Sequence, residues 1–224
     1  MPSKLIGALL IGKSPRPDLV DPLREFLPDF EILQAGALVD LTPKDLPDVS
    51  GKPYPLRTRM ANGKSVLIDE SFLSPRLQAA LVLLEAKGVV AAILLCAGTF
   101  AELVGNVPLF KPFDVGLAVL HTLNFRNVGF ISPIAAQADP IRKRWQKADI
   151  QTMYWTADLT QPDSSLYRLP EAQIQEERLK CIVLDYVGFS RESVQHLQSN
   201  ISIPVLDLGY LTMRTLAGSL TNSE

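Results

Sequence analysis

Val89-Val90-Ala91-Ala92-Ile93-Leu94-Leu95-Cys96-Ala97-Gly98-Thr99-Phe100 decides the fold. An uninterrupted apolar run reads as a strand buried on both faces of a parallel sheet. It ends on a thiol, then a small residue, then glycine. The same order returns in Cys181-Ile182-Val183-Leu184-Asp185-Tyr186-Val187-Gly188-Phe189-Ser190, where Tyr186 stands in the place of the thiol. Ligands of open α/β sheets lie beyond the carboxyl ends of such strands. Cys96 and Tyr186 are therefore two candidates for one cleft between two halves.

Strands and helices alternate outward from these runs. Lys4 to Ile11 reads as a first strand and Pro17 to Leu27 as a helix with proline in its first turn. Phe30 to Ala35 is a strand. Leu56 to Met60 and Ser65 to Ile68 flank Asn62-Gly63, a strong hairpin signal. Pro75 to Lys87 reads as an amphipathic helix closed by Gly88. The second half gives helices at Phe113–Leu123, Ile134–Lys147, Leu169–Arg178, Arg191–Ser199 and Gly209–Leu216. Its strands fall at Asn127–Pro133, Ile150–Trp155, Cys181–Asp185 and Ile203–Asp207. Such alternation implies an α/β protein with parallel sheets. The expected organisation is a first lobe of residues 1–112, completed by 205–224, and a second lobe of 113–204. The hairpin is an insertion in the first lobe.

The bulk properties narrow the function classes. The 224 residues carry 47% hydrophobic and 21% charged side chains, ordinary for a globular protein. A net charge of −2 provides no general field for nucleic acid or an anionic membrane. No apolar run approaches the roughly 18–20 residues of a membrane span. Leu5 to Ile11 is short for a signal-peptide core, and Gly12 to Arg16 looks like a loop. Two cysteines outside any paired spacing argue against a disulfide framework or a zinc site. The expectation is a cytoplasmic protein with reduced thiols. No G-x-G-x-x-G, G-K-[ST] or H-E-x-x-H pattern is present, so no nucleotide cofactor and no metal are expected.

Cys96 is the leading candidate for chemistry. A thiolate abstracts protons or attacks carbon, and the amides of Ala97 and Gly98, or the field of a helix starting there, would stabilise it. Thr99 adds a neutral donor. Tyr186 holds the matching place in the second half, followed by Val187 and Gly188. A phenol, with a reference pKa near ~10, is a poor base at neutral pH but a usable acid. Arg16, in Ser14-Pro15-Arg16-Pro17-Asp18, can grip a carboxylate through both guanidinium edges. Alternation puts Arg57 and Arg59 on one face of the hairpin. Ser132 and Gln137 are further neutral donors. Cys181 opens its strand, about 16 Å from Tyr186 at 3.3 Å per residue, and reads as structural. His121 and His196 lie inside helices with no partner motif.

Four segments resemble the AroM family: Ile11 to Asp18, Thr58 to Gly63, Leu94 to Phe100 and Ile182 to Ser190. The resemblance runs in order from Lys4 to about Leu216. That family is similar to a branch of the aspartate/glutamate/hydantoin racemase superfamily. The resemblance implies two pseudo-symmetric α/β lobes around a cleft, with racemases using a cysteine from each lobe on opposite faces of a carbon. Two departures stand out. The family's second motif reads Leu-Asp-Cys-x-Gly-Tyr, and here Tyr186 replaces the cysteine. Its first motif reads Leu-Cys-Thr-Gly-Glu-Phe, and here Ala97 and Thr99 replace the threonine and glutamate. The first departure removes the second thiol, the second a hydroxyl suited to a carboxylate. Related enzymes that decarboxylate malonates work with one cysteine.

Two function classes follow. In one, the protein is a cofactor-independent isomerase-like or lyase-like enzyme of a small carboxylic acid. Cys96 is then base or nucleophile, Tyr186 the proton donor, and Ser14, Arg16 and Arg59 hold the anion. In the other, it is a non-catalytic or regulatory binder of a small anion. A homo-oligomer is compatible with either; a nucleic-acid or membrane partner is not expected.

Overall fold

The computed structural model of the chain describes residues 4–52, 55–60, 63–161 and 169–221. The chain divides into two compact units, Met1–Asp114 with Thr212–Glu224, and Val115–Leu211.

The first unit is built on β1 (Lys4–Leu10), α1 (Pro17–Phe26), β2 (Phe30–Gly36), β3 (Pro55–Arg59), β4 (Ser65–Asp69), α2 (Glu70–Ala86), β5 (Val89–Leu94) and β6 (Leu109–Phe110). Its sheet has the order β2-β1-β5-β6, parallel throughout. The central strands β1 and β5 are the continuous apolar runs, as burial on both faces requires. Their register sets Leu9 against Leu94, so the chain leaves both strands at the same edge. Leu73, Leu77, Ala80, Leu81 and Leu84 form the buried stripe of α2. The spacing is that of a 3.6-residue period, and the stripe covers β1, β2 and β5. Removing one such side chain, as in Leu77→Ala, costs about 2–5 kcal/mol.

The hairpin pairs β3 with β4 antiparallel, Arg59 opposite Ser65. The Met60 N–H donates to the Lys64 carbonyl at 2.9 Å, and Gly63 takes φ +78°, which glycine adopts without strain. Ala61 and Asn62 of the expected turn lie outside the described residues.

The second unit carries most of α3 (Pro112–Thr122), then β7 (Asn127–Ser132), α4 (Ala138–Gln146), β8 (Gln151–Thr156), α5 (Glu171–Glu176), β9 (Cys181–Leu184), α6 (Arg191–Ser199) and β10 (Val205–Asp207), and enters α7 (Leu208–Leu220). Its sheet order, β10-β9-β7-β8, is again parallel. Ile131, Ile182, Leu184, Val194 and Leu197 lie in one buried cluster of this unit. No described helix is long and apolar enough to cross a membrane.

The structure departs from the sequence reading at several boundaries. The helix expected from Pro75 begins at Glu70, because Asp69 caps it by accepting the Ser71 N–H at 2.9 Å, and Pro75 lies inside it. The helix expected from Ile134 opens as a 3-10 turn over Ala135–Gln137 and becomes α-helical only at Ala138. Pro140 then falls in the first turn, where its missing N–H leaves no bond unmade. The helix expected from Leu169 is shorter, Glu171–Glu176. Leu109–Phe110 forms a two-residue strand that is too short to leave a pattern. Val205–Asp207, expected to complete the first lobe, instead pairs with β9 in the second sheet. Only from Thr212 does α7 belong to the first unit.

Candidate functional site

The first strand end is organised around sulfur. The Leu95 N–H donates to the Leu9 carbonyl at 2.9 Å, so β5 stays tied to β1 up to the residue before Cys96. No helix begins at Cys96, so the helix field expected to stabilise its thiolate is missing. Residues 96–100 form a loop, because Phe100 turns the chain through a left-handed conformation, φ +40°. The loop returns an amide instead: the Gly98 N–H donates to Cys96 Sγ at 3.4 Å. Gly98 is required here. A Cβ on it would lie 2.6 Å from Cε2 of Phe100. The carboxylate of Glu70, on the first turn of α2, accepts the Phe100 N–H at 2.9 Å. Cys96, Ala97 and Gly98 are buried and Thr99 partly so.

The loop after β1 packs against β2 and the hairpin. The Leu38 N–H donates to the Gly12 carbonyl at 3.2 Å and the Lys13 N–H to the Arg59 carbonyl at 3.5 Å. The Ser14–Pro15 peptide is cis. Arg16 donates its backbone N–H to Gln34 Oε1 at 2.8 Å. Its guanidinium grips Asp18 on both oxygens, Nε to Oδ1 at 2.8 Å and Nη2 to Oδ2 at 2.6 Å. That hydrogen-bonded contact, assisted by the charge of Arg59, holds the Asp18 carboxyl below its usual range against the cost of partial burial. Arg57 and Arg59 take the more exposed face of β3, while Leu56 and Thr58 are buried. The structure thus gathers Ser14, Arg16 and Arg59 at one place in the first unit, with the Arg16 fork already engaged by a carboxylate.

In the second unit Tyr186 follows β9, half-buried, its ring 5.3 Å from that of Phe189. Val187 is buried, and Gly188 is exposed at φ +107°, a backbone that demands glycine. Asp185 turns into the core. It receives the Trp145 indole N–H at 2.8 Å and an ion pair from Arg144. Ser132 and Gln137 are brought together: the Ser132 hydroxyl donates to Gln137 Oε1 at 2.8 Å, both side chains buried. Tyr154 donates to the Ile134 carbonyl at 2.7 Å, and burial raises its pKa. Cys181 opens β9 in full burial, which pushes its thiol up to about 12. His121 Nε2 lies 3.0 Å from the Ala148 carbonyl, 27 residues on, and His196 bonds to Asn200 one helical turn on.

Three features of these strand ends escaped sequence reasoning. Glu70 and the Arg144–Asp185 pair join positions far apart in the chain. Asp207 closes β10 beside Leu184 of β9 and caps α7, accepting the Tyr210 N–H at 3.0 Å. Burial pushes its carboxyl up to about 6, against the pull of the Tyr210 and Gly209 amides. A strand-end aspartate before Leu-Gly was the available signal. Among the described residues, no three His, Cys, Asp or Glu side chains are grouped as a metal would need.

Two four-stranded parallel sheets flanked by helices, each with a reactive-type side chain just beyond a strand's carboxyl end, define an α/β protein of the racemase fold. An aspartate racemase homologue from Pyrococcus horikoshii OT3 superposes with a TM-score of 0.61 at 15% identity, covering 96% of this chain and 99% of that one. Glutamate racemase from Francisella tularensis, solved with D-glutamate, gives 0.57 at 14%, covering 98% and 82%. Unliganded arylmalonate decarboxylase gives 0.60 at 13%, covering 99% and 95%. Residues 6–220 match the family described as AroM protein, and the chain belongs to that family. No curated protein matches it.

Proposed function

We propose that the protein is a cofactor-independent enzyme, isomerase-like or lyase-like, acting on a small carboxylic acid with Cys96 as base or nucleophile. The observation that carries the reading is the Gly98 N–H on Cys96 Sγ at the end of β5. An amide so placed favours thiolate over thiol, against the cost of burying Cys96 at the edge of the first unit's apolar core. Racemases of acidic amino acids and an arylmalonate decarboxylase share the fold, and both reaction types pass through a carbanion next to a carboxylate. In the proposed reaction the Cys96 thiolate removes the α-proton, the electron pair enters the carboxylate as an enediolate, and the Tyr186 hydroxyl returns a proton to carbon. In a decarboxylation, CO2 departs with its bond pair left on carbon as an enediolate, and the Tyr186 hydroxyl protonates that carbon. Arg16 and Arg59 would hold the carboxylate, with Ser14, the Ala97 amide and the Thr99 hydroxyl as further donors, and Gly98, its N–H on the sulfur, would line the site. Ser132, Gln137, Val187 and Gly188 are proposed to shape the second half of the site.

The binding-module reading draws on two observations. The fork of Arg16 already grips a carboxylate, that of Asp18, and Tyr186 gives no second thiol. A small anion exchanged into that fork would be bound without being transformed.

The test is α-proton exchange in deuterium oxide and CO2 release across small dicarboxylates, amino acids, hydantoins and malonates. The enzyme reading expects turnover of at least one acid, lowered by about 10²–10⁴ in Cys96→Ser, the range of a lost general base. Silence across the panel, with one acid raising the melting temperature, selects the binding module instead.

A further inference from the structure

The Cys96 loop is held from outside its own segment. Phe100, a buried phenylalanine at φ +40°, adopts a backbone that a side chain with a Cβ disfavours. Such a conformation persists only where its surroundings over-determine it. Here the ring of Phe100 packs over Gly98, and its N–H is taken by Glu70 at 2.9 Å, 30 residues earlier in the chain. Glu70 is not needed as the cap of α2, since Asp69 fills that role. A carboxylate accepting an amide is among the stronger hydrogen bonds. Phe100 and its hydrogen bond to Glu70 thus close the same short loop in which the Gly98 N–H meets the sulfur.

We infer that Glu70 is a positioning residue for Cys96, fixing the loop whose Gly98 N–H faces the thiol. The inference rests on the reading of Cys96 as the reactive group. Among the described residues, charged side chains at the ends of the neighbouring elements include Asp69 beside Glu70, and Lys13, Arg16, Asp18 and Arg59 around the ends of β1 and β3. Glu70 acts on the thiolate in two opposed ways. Its negative charge disfavours a second anion nearby. Its hydrogen bond to Phe100 supports the amide that favours one. Substitutions separate the two, because glutamine keeps an acceptor and loses the charge, whereas alanine loses both.

The experiment is the rate of Cys96 alkylation by iodoacetamide against pH, followed by peptide mapping, in wild type, Glu70→Gln and Glu70→Ala, with melting temperatures alongside. Wild-type Cys96 is expected to titrate below the ~8.5 of a free thiol. Glu70→Gln should keep that midpoint or lower it. Glu70→Ala should raise it by about one unit and slow alkylation at pH 7 by about tenfold, as the thiolate fraction falls. If Glu70→Ala does not fold, Glu70→Asp, which keeps the charge but shortens the reach, carries the same expectation. A depressed wild-type midpoint that Glu70→Ala leaves in place, or that both variants move alike, overturns the positioning role alone. A wild-type Cys96 that titrates as a free thiol overturns the reading of Cys96, and the role of Glu70 with it.

Discussion

Arg16 and Asp18 lie two residues apart and meet side by side, with both edges of the guanidinium on both oxygens of the carboxylate. The pair is a built-in occupant of the group proposed to hold a substrate anion. Because the Asp18 carboxyl is held below its usual range, the pair persists through neutral pH and releases Arg16 only in acid. Asp18→Asn should therefore strengthen binding of a small dicarboxylate such as malonate. The gain is set by an exposed ion pair of roughly 0.2–1 kcal/mol, or at most about a factor of five. Titration calorimetry at pH 7 checks this; unchanged or weaker binding in the variant rules out competition by Asp18.

Asp207 carries a pH dependence of opposite sign. Its carboxyl, pushed up to about 6 by burial, binds a proton in the folded chain at a pH where the unfolded chain has lost it. Its contribution to stability is complete below about pH 4 and falls as pH rises through 6. Asp207→Asn keeps an acceptor for the Tyr210 amide and has no charge to bury. Relative to wild type, the variant should gain up to roughly 3 kcal/mol between pH 4 and pH 7, or about 5–10 °C in melting temperature. A melting-temperature difference that stays constant over that range contradicts the assignment.

The Arg144–Asp185 pair is a structural prediction. The Asp185 side chain is fully buried and that of Arg144 nearly so. Arg144→Ala leaves a buried carboxylate without its counter-charge and should cost about 3–5 kcal/mol, read by urea denaturation. A loss under 1 kcal/mol shows that the pair is solvated in the folded protein.

The parts of the fold legible in sequence were those with a local period. β5 and β9 announce themselves as apolar runs, the stripe of α2 repeats at helical spacing, and the strands beside Asn62-Gly63 alternate. Boundaries failed where a cap outweighed a familiar residue, as Asp69 did over Pro75, or where an element was as short as Leu109–Phe110. Chain length alone did not show that Val205–Asp207 joins the second sheet, because pairing with β9 is a contact between distant segments. The same limit hid most of the site's support. Glu70 reaches Phe100 across 30 residues, and Arg144 reaches Asp185 across 41. The Arg16–Asp18 pair was close enough to read, but two charges in a loop do not announce whether they turn towards each other.

The central claim, that Cys96 is the reactive group, is tested most directly by comparing the two thiols of the folded protein. Cys96 leaves β5 with an amide on its sulfur, whereas Cys181 opens β9 in full burial with its thiol pushed up to about 12. Iodoacetamide labelling at pH 7, quantified by peptide mapping, should modify Cys96 at least about tenfold faster than Cys181, following their thiolate fractions. Equal labelling, or faster labelling of Cys181, contradicts the claim.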